Sequence, residues 1–87
     1  MTEEKVRADL RRARKLHRMR DKEGVEKIKD KYAEAISDLD DIERVIILEG
    51  IIGGLNYWQI GRKYYFAEAT IKSYARSAVK KIAERMR

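Results

Sequence analysis

Apolar residues recur every three or four positions through nearly the whole of this chain, and no proline interrupts them. That spacing is the period of an α-helix, whereas a half-buried strand alternates at every second residue, so the sequence predicts an all-α fold. The only strong punctuation is glycine, at positions 24, 50, 53, 54 and 61. In the first stretch Val6, Leu10, Ala13 and His17 lie at intervals of four, three and four, with Leu16 and Met19 beside them. In the second, Val25, Ile28, Tyr32, Ala35 and Leu39 lie at intervals of three, four, three and four. The two series do not share a frame: the first, continued, reaches 24, 27 and 31, one residue short of the second. A break between Asp21 and Gly24 accounts for the offset and predicts an N-terminal helical hairpin with its two apolar seams apposed.

Asp38, Asp40 and Asp41 then offer capping oxygens and a favourable charge for a helix start. They lack the loop spacing of a cation site and are read as capping acids. In the stretch "IERVIILEGIIGG", Val45, Ile46, Ile47, Leu48, Ile51 and Ile52 cover more than half of a helix circumference. One neighbour cannot cover so broad an apolar surface, which predicts a central helix packed on both sides and ended by Gly53-Gly54. Asn56 and Gln59 have the spacing of a capping box, with Leu55 and Ile60 as the hydrophobic staple around it. Phe66 and Ile71 bracket the start of a further helix in the same way. Two helices joined within about four residues are expected, with Tyr64-Tyr65-Phe66 as the joint.

The charge is unevenly distributed. Residues 5–20 hold eight Lys/Arg against one acid, Asp9, and residues 62–87 hold eight against two, Glu68 and Glu84; residues 21–61 hold five against ten Asp/Glu. Two basic blocks around an acidic one suit a polyanionic partner such as nucleic acid. The absence of cysteine excludes disulfides and thiolate metal sites. With no long apolar run and no signal pattern at the N-terminus, the expected location is cytoplasmic, with no membrane partner.

From Glu43 onward, "ERVIILEGIIGGLNYWQIGRKYYFAEATIKSYARSAVKKI" resembles the C-terminal, promoter-reading helix-turn-helix of the sigma-70 family and the small phage and mobile-element regulators built on it. Gly54-Leu55-Asn56-Tyr57, Ile60-Gly61, Thr70-Ile71-Lys72-Ser73 and Ser77-Ala78-Val79-Lys80-Lys81-Ile82 carry the match, over about half the chain. After the N-terminal helical hairpin read from the frame break, residues 1–39, the resemblance implies a three-helix helix-turn-helix domain, residues 40–87, and the whole is expected to form one compact unit. It implies that a helix from Glu68 to Glu84 enters the major groove of double-stranded DNA, with Ile71, Ala75, Ala78, Val79 and Ile82 turned to the core. Glu68, Ala69, Lys72, Ser73 and Arg76 would then read bases: Lys72 and Arg76 donating to guanine, Glu68 accepting from the cytosine amino group, Ala69 touching a thymine methyl. Tyr57, Arg62, Lys63, Tyr65 and Lys80 would contact phosphates.

Two departures from the family pattern carry physical consequences. Tyr65 stands where the family has a turn glycine, so a non-glycine residue at positive φ is expected, at a cost of roughly 1 kcal/mol or more. Ala67 stands where the family has a capping serine, which forgoes about 1 kcal/mol. Inward-facing Tyr64 and Phe66 are expected to offset both, with Tyr65 projecting outward and Gly61 leaving room for the following helix.

Arg7, Arg11, Arg14 and Arg18 form one stripe on the first helix. They suit either a second polyanion-binding surface or the solvated side of a hairpin paired with the acidic middle of the chain. His17, the only histidine, has no companion at metal-ligand spacing and is placed at the hairpin seam or surface. Trp58 is expected to pack against a neighbouring helix rather than to stack on bases. No nucleophile with a base and an orienting partner, and no phosphate-cradling loop, can be assembled. The expectation is therefore a non-enzymatic, cofactor-free, sequence-specific DNA-binding regulator of transcription, acting alone or as a homodimer. Its rivals are a module that binds RNA polymerase or another protein, and a phage DNA-packaging protein of the small-terminase kind.

Overall fold

The frame break between the first two apolar series is a turn. In the computed structural model, which describes residues 1–87, α1 (Glu3–Arg18) ends there and α2 (Lys22–Ser37) begins, with Arg20 in the left-handed region at φ 58°. Asp21 caps α2 by accepting from the Gly24 N–H at 2.9 Å. Three more helices follow, α3 (Asp41–Ile51), α4 (Tyr57–Tyr64) and α5 (Glu68–Arg85), and the fold is all-α. The α1–α2 pair is closely packed, and α3, α4 and α5 form a second tight cluster.

The α2 seam is buried as its spacing predicts: Val25, Ile28, Tyr32, Ala35 and Leu39 all lie in the core. They meet Val6 and Ala13 of α1, Ile47 and Ile51 of α3, and Ala78, Val79, Ile82 and Ala83 of α5. A smaller cluster, Ile46, Ile60, Ile71 and Ala75, joins α3, α4 and α5. The breadth of the α3 apolar surface is thus explained, since Ile47 and Ile51 face one cluster and Ile46 the other. The core runs from α1 through α5, and the Cα radius of gyration, 11.9 Å, is close to the ~12 Å of a single globule of this length.

Buried charge ties α1 to α2 and α3 to α5. Asp9, on the inner face of α1, accepts from the Tyr32 hydroxyl, from Lys31 Nζ at 2.9 Å, and pairs with Lys5 at 3.4 Å. Burial disfavours the Asp9 carboxylate, but the Tyr32 and Lys31 hydrogen bonds outweigh it and hold the group below its ordinary range. Burial, reinforced by the Asp9 hydrogen bond and charge, pushes the Tyr32 hydroxyl well above its usual range. Glu43 closes a capping box with Asp40 at the start of α3 and accepts from Lys81 of α5 at 2.8 Å. Its burial is likewise outweighed, chiefly by Lys81 and Ser77, and its pKa is lowered. The neighbouring Arg44 donates to the Ser37 and Leu39 carbonyls at 3.2 and 2.9 Å, fixing the α2–α3 loop.

The α4–α5 joint is built differently from the sequence expectation. Asn56 and Gln59 form the expected capping box, both bonds at 2.9 Å. Tyr65 takes the left-handed conformation, φ 63° and ψ 39°, and is 95% exposed; Ala67 caps α5 without a side-chain bond. Tyr64 and Phe66, expected as inward anchors, are instead 36% and 40% exposed, with Phe66 set edge-on to Tyr74 at 6.4 Å. Backbone makes the close contact in their place. The Tyr65 and Phe66 N–H groups both donate to the Gly61 carbonyl, and a Cβ at Gly61 would lie 2.6 Å from the Phe66 carbonyl oxygen. Gly61 therefore makes room for the turn first and for Ile71 of α5 second. Trp58, expected against a neighbouring helix, is 55% exposed under the Arg62 guanidinium.

Candidate nucleic-acid interface

The cations of α5 divide into two groups according to whether the fold uses them. Lys81 pairs with Glu43 and Asp40, and Arg85 with Asp38 at 2.7 Å, so these two fasten the C-terminal half of α5 to the α2–α3 region. Their partners raise both pKa values, Glu43 acting first on Lys81 and Asp38 first on Arg85. Arg76 and Lys80 have no carboxylate in ion-pair range, and Lys72 meets only Glu68 at 3.8 Å. Such an exposed pair is worth at most about 1 kcal/mol and gives way readily to a stronger anion.

Glu68, Ala69, Lys72, Ser73 and Arg76 are all exposed, as is Lys80. At 100° per residue, Ala69, Ser73 and Lys80 share one outward strip with Arg76 on its edge nearest α1, while Glu68 and Lys72 turn further toward α1. The opposite strip, Ile71, Ala75, Ala78, Val79 and Ile82, is buried. A single helix thus presents its N-terminal half outward and is held rigidly from behind.

The residues assigned to phosphate contact are dispersed. Arg62 and Tyr65 share an open hollow with Trp58, Phe66 and Glu68 beside the start of α5. Lys63 points away from that hollow and pairs with Glu49 of α3 at 2.6 Å, which raises its pKa. Tyr57 is half-buried against the Ile46–Ile60–Ile71–Ala75 cluster, and Arg14 of α1 lies over its ring at 5.7 Å.

That last contact exposes an arrangement the sequence did not predict. Arg7, Arg11 and Arg14 of α1 face Lys72 and Arg76 of α5 across a cleft of about 250 Å³ floored by Leu10, Tyr57, Ala75 and Val79. An adjoining open groove continues past Arg11 and Arg14 to Arg18 and Asn56. Arg7 pairs with Glu3 at 3.3 Å, but Arg11, Arg14 and Arg18 have no carboxylate in range. The alternative in which this stripe pairs with the acidic middle of the chain is not the arrangement found. His17, expected at the seam or surface, is exposed and packs against Gly54, whose φ of 66° and lack of a side chain accommodate the ring. The missed signal was Tyr57, an aromatic next to a helix cap that offers an arginine a face.

No family model matches the chain, and comparisons with curated proteins and with solved structures likewise find no match.

Proposed function

We propose that the chain is a sequence-specific double-stranded DNA-binding regulator in which α4 and α5 act as a helix-turn-helix and α5 enters the major groove. The observation that carries this reading is the outward strip of α5. Ala69, Ser73, Arg76 and Lys80 are exposed together, while Lys81 and Arg85 are consumed by internal pairs and Lys72 meets only Glu68 at 3.8 Å. A helix with its side chains is about 10–12 Å across and the major groove about 12 Å wide, so one exposed face with free donors suits direct base readout. The tight joint at Gly61 supports the same reading, because a reading helix needs a fixed attitude to its neighbour. The sigma-70-like pattern in residues 43–82 supports it independently, and it points to transcription rather than packaging.

Selection of bound sequences from a random duplex pool, followed by affinity against salt, tests the proposal. A defined motif is expected, together with a log-log salt slope of about −0.9 for each phosphate contact. A flat slope on selected and random duplexes alike refutes it and favours a protein-binding role for the same helices.

A further inference from the structure

We propose that the α1–α5 cleft and the groove continuing from it form a track for one sugar-phosphate strand of the DNA, so that α1 grips the wall of the groove that α5 reads. This rests on the DNA reading above and adds a second contacting element to it. The geometry follows from helix dimensions. Packed helices lie about 8–10 Å apart, so a helix packed beside one that fills the major groove cannot share the groove and lies over its phosphate rim. The α1 residues on that side are arginines.

Charge favours a phosphodiester over a small-molecule ligand. The two concavities share Arg11, Arg14, Tyr57 and Lys72, and the only carboxylate lining either is Glu68. The cleft runs on into the groove along α1 as far as Arg18, as a strand passing through requires. Arg14 is held over the Tyr57 ring, which limits the side-chain freedom lost when its guanidinium bonds a phosphate. Arg11 and Arg18, one turn to either side, have nothing in the protein to neutralise them.

The test compares two full-length variants, each lacking three cations of the α1–α2 pair. The track variant carries Arg11→Gln, Arg14→Gln and Arg18→Gln. The control carries Arg12→Gln, Lys22→Gln and Lys27→Gln, all three outside the cleft. Binding to a labelled selected duplex and a labelled random duplex is followed by anisotropy across a salt series. The track variant should lose about 2–3 from the salt slope on both duplexes, at about 0.9 per contact, without changing the preferred sequence; the control should lose less than about one. Arg11→Gln and Arg18→Gln alone, neither touching Tyr57, should each lower the slope by about one. Equal losses in track and control variants, or an unchanged slope in the track variant, overturn the proposal while leaving the DNA reading standing. Failure of the wild-type chain to bind any duplex overturns that reading and the track with it.

Discussion

Replacing Tyr65 by glycine should stabilise this protein, although it deletes a large aromatic side chain. The residue sits at φ 63° and ψ 39°, where a Cβ crowds the following carbonyl oxygen. Left-handed backbone costs a non-glycine residue about 1–2 kcal/mol. Glycine removes that cost but adds roughly 0.4–1 kcal/mol of freedom to the unfolded chain. At 95% exposure the ring contributes almost no burial that the substitution would forfeit. The Tyr65 N–H bond to the Gly61 carbonyl is backbone and survives. The balance is a gain of about 0.5–1 kcal/mol, or roughly 2–8 °C in Tm for a domain of this size. Thermal and urea unfolding followed by circular dichroism measure it. Tyr65→Ala is the necessary companion: it removes the ring, keeps the Cβ, and should stay within about 0.5 kcal/mol of the parent. If the glycine variant is no more stable than the alanine variant, the strain argument is wrong.

At Gly61 the same comparison runs in the opposite direction: Gly61→Ala should cost about 1–3 kcal/mol, because its Cβ would meet the Phe66 carbonyl oxygen at 2.6 Å, and an unchanged urea midpoint would contradict this. Acid should unfold the protein through Asp9 and Glu43. Both are held below their ordinary values of 3.8 and 4.5, so the stability they confer is complete above those values and lost as pH falls through the native ones. Tm should therefore decline as pH drops below about 4.5, and Glu43→Gln should lower Tm at neutral pH while flattening that decline; parallel acid profiles would exclude Glu43 as a cause. On DNA, Arg76→Ala should cost roughly 1–3 kcal/mol and relax preference at particular base positions. Lys80→Ala should weaken all sequences alike and lower the salt slope by about one; indistinguishable effects would dissolve the division between reading and positioning residues.

The helices were legible because they rest on short-range rules. The α2 seam and the Asn56–Gln59 box each depend on residues within a few positions, where periodicity and cap chemistry operate, whereas the left-handed Tyr65 is expected from the family pattern, whose turn glycine it replaces. What was not legible is long-range. Nothing adjacent to Asp9 marks it as buried, since its partners Tyr32 and Lys31 lie more than twenty residues on. Tyr64 and Phe66 are expected inward because they stand at the core leucine and isoleucine positions of the resembled family, yet the close approach of the Phe66 carbonyl to Gly61 carries the turn on backbone and leaves both rings near the surface. The exposed strip of α5 could be read from its spacing, and the arginine stripe of α1 from its own. Their meeting across Tyr57 required the packing of α1 on α5, which no local pattern encodes.

The core shared by the first and last helices bears on how this protein can be taken apart. Val79, Ile82 and Ala83 of α5 pack in one cluster with Val6, Ala13 and the α2 seam. Excision of residues 40–87 as a minimal reading unit would strip the rear of α5 and present an apolar strip to water, inviting self-association. The last helix is therefore not a portable cassette: to graft it elsewhere, an engineer would have to carry α1 and α2 along or redesign the back of α5 with polar side chains.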